Sequence, residues 1–265
     1  MPKVSVAVIM LFQVSALFVR ELARRELLQS GTPADIADYQ SAWAGFSMLA
    51  VLMWPYLRDH RNYLVSVFQQ PGSWPRLVLT SIAIGLTMRA ASWGVSYATV
   101  TLTPGNLPGN WVSPKSGLQW NCPELEFILL AIATSVIAIP IIEEVINRGF
   151  ILGAFTRVSQ KYSSIVSASL FAVLHRPDSM LAAFLFGIAV AIQMQHCHSL
   201  WGPIIAHAAF NFLTIVENHC VTYFDLEELL LALPREQLAM LAVFSTVACY
   251  FVCIRFARWS GAGTK

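Results

Sequence analysis

The stretch that decides the fold lies at residues 127–149 and reads FILLAIATSVIAIPIIEEVINRG. Its first part, Phe127–Ile142, carries no charged residue, and Glu143, Glu144 and Arg148 follow directly. A helix needs about 20 mostly apolar residues to cross a bilayer. The stretch therefore predicts a membrane-spanning helix that ends in ionisable side chains. Such side chains are costly within a membrane and indicate function by default.

The composition of the whole chain extends this prediction. Of the 265 residues, 56% are hydrophobic and only 12% are charged, and the mean hydropathy is +0.60. Soluble domains carry roughly 25% charged residues, so the composition excludes an ordinary soluble enzyme, a disordered chain and a fibrous repeat. The net charge of +2 is too small to indicate a nucleic-acid partner. We therefore predict an integral membrane protein that is surrounded by a lipid bilayer.

Eight apolar segments have the composition of membrane-spanning helices, although three of them are short. The stretches between them are too short to form a soluble domain. We therefore predict an all-α fold, a polytopic transmembrane helical bundle of about eight spans, with residues 1–265 as a single integral membrane domain. The predicted spans are residues 4–19, 41–57, 77–99, 125–147, 162–175, 181–196, 200–216 and 238–254.

The distribution of Lys and Arg predicts the orientation, because these residues are enriched in cytoplasmic loops. With both termini in the cytoplasm, the inner segments hold 10 of these residues and the outer loops hold 6. We therefore expect cytoplasmic termini, in the inner or plasma membrane if the source is bacterial. The fourth span then runs inward, so Glu143 is expected near the cytoplasmic side, with access from the cytoplasm or laterally from the membrane.

Three further residues raise questions that the sequence leaves open. Arg89 lies inside the third predicted span and must find an acceptor, which the sequence does not name. Cys122 and Cys220 both fall in predicted outer loops. Either a disulfide or two unpaired thiols would be compatible with that position.

The first polar cluster is the charged end of the quoted stretch. Glu144 and Arg148 are four residues apart, so on a helix they share a face and can form an ion pair. Glu143 is rotated by about 100° from Glu144 and points elsewhere. One carboxylate is thus neutralised and the other is left available as a general base. The alternative is an ordinary salt bridge at a snorkelling helix end.

Two further clusters lie on later spans. His175 ends the fifth predicted span, where a single histidine is usually an interfacial residue. His207 and Asn211 lie on one face of the seventh span and can both donate hydrogen bonds into one cavity, or else join two helices. Together the three clusters supply a base for water and donors for an oxyanion, which acid–base hydrolysis requires.

The order of these motifs resembles the CAAX protease and bacteriocin-processing family of intramembrane endopeptidases, which includes the type II CAAX prenyl endopeptidase. The motifs are Glu-Glu-x-x-x-Arg (Glu143, Glu144, Arg148), Phe-x-x-x-His (Phe171, His175) and His-x-x-x-Asn (His207, Asn211). The resemblance covers about residues 125–216. Asn147 stands where the family usually has an aromatic residue, and its spacing predicts a hydrogen bond to the Glu143 carboxylate.

The resemblance implies a role for each motif residue. Glu143 and His175 would activate the attacking water, and His207 and Asn211 would stabilise the tetrahedral oxyanion. Glu144 and Arg148 would hold the site in shape. The implied substrate is a membrane-anchored protein or peptide, cut near its terminus in CAAX-type, leader or sorting-tag processing.

A catalytic zinc is the alternative mechanism. Glu143, His175 and His207 are enough ligands for zinc with an open position. No His-Glu-x-x-His pattern supports this set, and a zinc-bound Glu143 would leave no obvious free base. We therefore prefer a glutamic-type endopeptidase with no metal and no cofactor, with a Zn²⁺ metalloprotease as the alternative.

Two functions of other classes use the same residues. A transporter or immunity-type membrane protein would use the intramembrane Glu, His and Arg side chains as a proton or ion relay. A catalytically dead scaffold would only bind partners in the membrane. The sequence shows no inverted repeat of the kind that many transporters carry.

Overall fold

Helices form almost all of the chain that the computed structural model describes, namely residues 5–102, 119–120, 122–156, 159–177, 179–222 and 235–261. The predicted all-α fold is confirmed. Among these residues the only other regular elements are two short antiparallel strands, β1 (Gln119–Trp120) and β2 (Val221–Thr222). The helices are α1 (Val6–Gln29), α2 (Ala34–Asp59), α3 (Arg61–Val67), α4 (Trp74–Leu102), α5 (Leu125–Thr156), α6 (Gln160–Ala172), α7 (Met180–Cys197), α8 (Trp201–Ile215) and α9 (Arg235–Trp259).

All eight predicted spans coincide with helices, but not all of these helices have the length of a span. Five are long and apolar enough to cross a bilayer: Val6–Gln29, Trp74–Val95, Leu125–Thr156, Met180–Cys197 and Ala239–Trp259. The fifth predicted span ends three residues early, at Ala172 rather than His175. The residue before a proline disfavours helical geometry, and Pro177 follows closely. The polytopic bundle is supported, while the count of eight spans stays a prediction.

The outer surface of the bundle is apolar, as a lipid-facing surface must be. Phe18 on α1, Val51 on α2 and Phe244 on α9 are each more than 60% exposed. Polar side chains such as Glu144, Arg148 and His207 are instead buried. This inside-out distribution fits an integral membrane protein.

α5 and α8 contact each other and position most of the polar cluster residues. α1 packs along α2, α6 packs along α7, and α4 packs against both α8 and α9. The crossing of α4 with α8 is close, because a Cβ on Gly85 would lie 2.5 Å from the carbonyl oxygen of Ala206. Small residues allow such backbone approach between helices in a membrane. The close contact therefore holds α4 against α8 directly beside His207.

α5 is interrupted by two π-helical turns, at Ile132–Ala138 and at Val145–Ile151. A π-turn shifts the backbone hydrogen bonds from i−4 to i−5 and is often found at functional sites. Here the two turns flank Glu143 and Glu144, which lie in the short α-helical section between them. The first turn has a direct consequence for Asn211, described below.

One end of the bundle is joined by a disulfide, and we call it the disulfide end. Cys122 and Cys220 are bonded, which resolves the choice that the sequence left open. The Tyr39 hydroxyl lies 3.0 Å from Nε2 of His219, and the ring of Phe127 packs against both side chains. These contacts bring the start of α2, the start of α5 and the turn after α8 to the same end.

Candidate active site

All four predicted catalytic side chains line one cavity of about 260 Å³. Glu143 comes from α5, His175 from the turn after α6, and His207 and Asn211 from α8. Three sequence clusters that are separated by up to 68 residues therefore meet in one place. A second cavity of about 300 Å³, between α5 and the pair α1 and α2, shares Glu143 and His175 with the first.

The two adjacent glutamates have opposite surroundings. The Glu144 side chain is fully buried, and its Oε2 lies 3.1 Å from Nε of Arg148. The Glu143 side chain is 31% exposed and faces the cavity. The ion pair and the separate directions expected from the helical spacing are both present. Glu143 is thus the carboxylate with room for a water molecule.

Arg148 is enclosed by groups that compensate its buried charge. Its Nη2 donates to the carbonyl oxygen of Gly187 on α7 over 3.3 Å. Its guanidinium also lies over the Phe171 ring, 4.6 Å from the centroid, in a cation–π contact. Arg148 therefore links α5, α6 and α7 around the Glu144 carboxylate.

His207 contacts both glutamates, and this bridge could not be read from the sequence. Its Nδ1 lies 2.9 Å from Oε1 of Glu144, while its Nε2 lies 4.0 Å from Oε2 of Glu143. Because a carboxylate only accepts, Nδ1 must carry the hydrogen of this bond. The bond orients the imidazole so that Nε2 points to the cavity. Glu144 therefore holds His207 directly, as well as pairing with Arg148.

Asn211 is held by a carbonyl group that the first π-turn releases. In this turn the amide of Ile139 donates to Thr134, five residues back, so the carbonyl of Ser135 would pair with residue 140. Residue 140 is proline, which has no amide hydrogen. The Asn211 Nδ2 instead donates to this carbonyl over 2.8 Å. One Nδ2 hydrogen remains for a ligand in the cavity.

His175 is oriented by the backbone of its own helix. Its Nδ1 lies 2.9 Å from the carbonyl oxygen of Phe171, and the two rings pack with centroids 4.5 Å apart. Because the carbonyl accepts, Nδ1 carries the hydrogen, and Nε2 is then free to accept one in the neutral imidazole. This arrangement suits a partner of Glu143 in holding a water molecule.

The prediction for Asn147 is wrong. Its Nδ2 donates to the backbone carbonyl oxygen of Glu143 over 2.8 Å, not to the carboxylate. The side chain is buried in the second π-turn, and its amide nitrogen reaches back along the helix to the backbone instead of to the carboxylate. Asn147 thus shapes the helix that carries Glu143.

The acceptor of Arg89 is Glu217, in the π-turn that follows α8. The Arg89 Nε donates to Oε2 of Glu217 over 2.7 Å, and a second guanidinium nitrogen contacts the same oxygen. The indole of Trp93 also donates to this oxygen over 3.1 Å. The pair ties α4 to the end of α8 and so supports the helix of His207 and Asn211.

The alternative zinc site does not fit the geometry. In the described parts of the chain, no three His, Cys, Asp or Glu side chains are grouped so that they could hold a metal ion. The predicted ligands Glu143, His175 and His207 line one cavity but do not converge on one point. His207 also uses Nδ1 for Glu144. We therefore derive no catalytic step through a metal.

A comparison with protein families supports the resemblance that the motifs indicated. Residues 125–213 match the family model described as type II CAAX prenyl endopeptidase Rce1-like. The matched segment begins with α5 and ends within α8, so it contains every residue of the three motifs. No curated protein and no solved structure matches the chain. The match supports a membrane-embedded peptidase in general.

Proposed function

We propose that this protein is a glutamic-type intramembrane endopeptidase that hydrolyses a peptide bond of a membrane-anchored protein or peptide. One observation carries the proposal: the partly exposed carboxylate of Glu143 shares a single cavity with His175, His207 and Asn211. The adjacent Glu144 is occupied by Arg148 and His207, so the two carboxylates have different tasks. The family match over residues 125–213 favours the same activity.

The proposed reaction starts with a water molecule between Glu143 and His175. The Glu143 carboxylate takes a proton from this water, and the water oxygen attacks the carbonyl carbon of the scissile bond. His175 accepts the second hydrogen bond of the water through Nε2 and so fixes its direction. Glu143 then returns the proton to the leaving nitrogen when the carbon–nitrogen bond breaks.

The negative charge that forms on the carbonyl oxygen needs donors that are already in place. Asn211 offers its free Nδ2 hydrogen, since Ser135 holds the other. For His207 to donate through Nε2 while Nδ1 donates to Glu144, the ring must carry both hydrogens. Its positive charge would be balanced by the Glu144 carboxylate, 2.9 Å away. In this role Glu144 is a positioning residue.

The second cavity suggests how a substrate would bind. Apolar residues, including Leu17 of α1, Phe46 of α2 and Ile142 of α5, form most of its wall. Arg20 lines both cavities, is half-buried, and makes no hydrogen bond or ion pair with another residue of the described chain. An arginine fork binds carboxylates in two-point contacts. We propose that it takes the free C-terminal carboxylate of a substrate with apolar side chains.

The proposal is tested by incubating the purified protein in bilayers with lipid-anchored reporter peptides and determining product masses. We expect cleavage by the wild type, with a chelator present or absent, and none by Glu143→Gln. Activity that the chelator removes and zinc restores would favour the metalloprotease. If a diverse set of anchored peptides stays uncut, the peptidase proposal fails and the transporter or scaffold alternative gains.

A further inference from the structure

The two ends of the bundle differ chemically, and the cavity belongs to one of them. The disulfide end is built by the end of α1, the starts of α2 and α5, and the turn after α8. Besides the Cys122–Cys220 bond, an ion pair between Arg24 and Asp38 closes this end. Because these contacts join four separate elements, all four ends must lie on the same side of the membrane.

The opposite end, which we call the basic end, is fixed by its own contacts. The amide of Leu200 donates to the carbonyl oxygen of Val67 over 2.8 Å. The Arg76 guanidinium lies 5.6 Å from the centroid of the Trp259 ring. These contacts lie at the end of α3, the start of α4, the start of α8 and the end of α9.

The cavity with the proposed catalytic residues reaches the disulfide end. Arg20, Tyr39, Thr214 and Asn218 complete its wall, and all four lie in segments that form that end. Among described residues, none in the ranges 58–76, 196–201 or 255–261 lines either cavity. This arrangement disfavours access to Glu143 from the side of the termini and leaves the expected lateral access from the membrane open.

The two ends also differ in charge, and the disulfide end carries more carboxylates than the basic end. At the basic end the described ionisable residues include five arginines and one carboxylate, Asp59, with the arginines at positions 58, 61, 76, 255 and 258. The disulfide end has seven carboxylates, at positions 21, 26, 35, 38, 124, 126 and 217, against five arginines, at positions 20, 24, 25, 89 and 176, with Arg89 paired to Glu217. Lys and Arg set the orientation, and over the whole sequence 10 of them fall in the segments expected on the cytoplasmic side with the termini, against 6 in the outer loops.

The disulfide gives an independent reason for the same orientation. Disulfides persist in oxidising compartments and are rare where cytosolic thiols keep cysteines reduced. Cys122 and Cys220 lie at the end that the Lys and Arg distribution of the whole sequence assigns to the outer side, so both criteria place that end outside the cytoplasm. Burial of Tyr39 at this end, followed by the charges of Asp35 and Asp38, raises the pKa of its phenol. The hydroxyl therefore stays neutral in the cavity wall.

We infer that the active-site cavity opens on the non-cytoplasmic face of the membrane. Resting on the proposed function, this inference defines the substrate as a membrane-anchored peptide whose scissile segment is presented on that face. A lipid-anchored C-terminus that remains in the cytosol would face the basic end, away from Arg20 and Glu143.

Single cysteines test the side of access without requiring activity. Ser30 is exposed at the disulfide end, Ser66 is exposed at the basic end, and Thr214 lies in the cavity wall. The variants are Ser30→Cys, Ser66→Cys and Thr214→Cys, with the unsubstituted protein as the blank for its three free cysteines. A membrane-impermeant maleimide is added to sealed right-side-out vesicles before and after detergent.

We expect the reagent to label Ser30→Cys and Thr214→Cys in sealed vesicles and Ser66→Cys only after detergent. Labelling of Ser66→Cys in sealed vesicles, with the other two protected, would overturn the inference. Labelling of Ser30→Cys with Thr214→Cys protected until detergent is added would also overturn it, because the cavity would not open on that face. Loss of the proposed peptidase activity would leave these labelling patterns unchanged, so the two failures are distinguishable.

Discussion

Replacing Glu144 by glutamine separates its contribution to stability from its contribution to catalysis. The carboxylate contacts Arg148 at 3.1 Å and His207 at 2.9 Å, and both Glu144 and Arg148 are fully buried. Removing one partner of a buried ion pair leaves an uncompensated charge and costs about 3–5 kcal/mol. The Gly187 carbonyl and the Phe171 ring would remain as the only compensation for Arg148 that the described contacts provide.

A second variant removes the unpaired charge. Replacing a buried ion pair by apolar side chains of similar volume is often neutral, so Glu144→Gln with Arg148→Met should recover most of the lost stability. It should not recover activity, since His207 would still lack the carboxylate that supports its charged form. The assay is denaturant-induced unfolding in micelles together with kcat for a reporter peptide. Unchanged stability of Glu144→Gln, or restored activity of the double variant, would refute this reasoning.

Three further results are expected. Asn211→Asp should lower kcat by about 10²–10³-fold, because it removes a donor and adds a negative charge beside the oxyanion; hydrolysis by the variant at the wild-type rate would contradict the oxyanion role. Arg20→Gln should raise KM for a peptide with a free C-terminal carboxylate and leave KM for the amidated peptide unchanged, and an equal effect on both would exclude carboxylate binding. Reduction of the bond between Cys122 and Cys220 should lower the melting temperature. The bond links residues 98 apart, and in the chain-entropy model loop closure of that length contributes about 4–5 kcal/mol. Alkylation must then modify two more cysteines per chain than in the unreduced protein, and an unchanged melting curve would refute the effect.

Features that depend on local spacing were predictable from the sequence. The apolar runs predicted all eight helical segments, because the length and hydrophobicity of a run are local properties. The four-residue spacing of Glu144 and Arg148 predicted their ion pair, and the adjacent position of Glu143 predicted its separate direction. The meeting of the three motifs in one cavity agrees with the roles that the resemblance implies, which remain a proposal.

Features that depend on contacts between distant segments could not be predicted. The bonds from His207 to Glu144 and from Arg89 to Glu217 join residues 63 and 128 positions apart. The error for Asn147 has a similar origin, because the spacing did not distinguish the carboxylate of Glu143 from its backbone carbonyl. Pro140 did offer a signal: a proline within an apolar helix leaves a carbonyl without its donor, and a polar side chain must supply one.

The expected side of access combined two patterns, one for the orientation and one for the site, and both remain predictions. The arginine distribution indicated the orientation, and the glutamates indicated the site. The cavity reaches the disulfide end because Glu143 lies in the middle of a helix that continues to Thr156, so α5 does not end at the charged cluster as the apolar run suggested.

We propose that the two adjacent glutamates have separate tasks. Glu143 is the base, and Glu144 supports His207 and Arg148. The most direct test compares Glu143→Gln with Glu126→Gln, an exposed position on the same helix, in both reporter cleavage and unfolding. We expect Glu143→Gln to abolish cleavage while its unfolding matches that of the wild type and of Glu126→Gln. Cleavage that survives in Glu143→Gln at the rate of Glu126→Gln would contradict it.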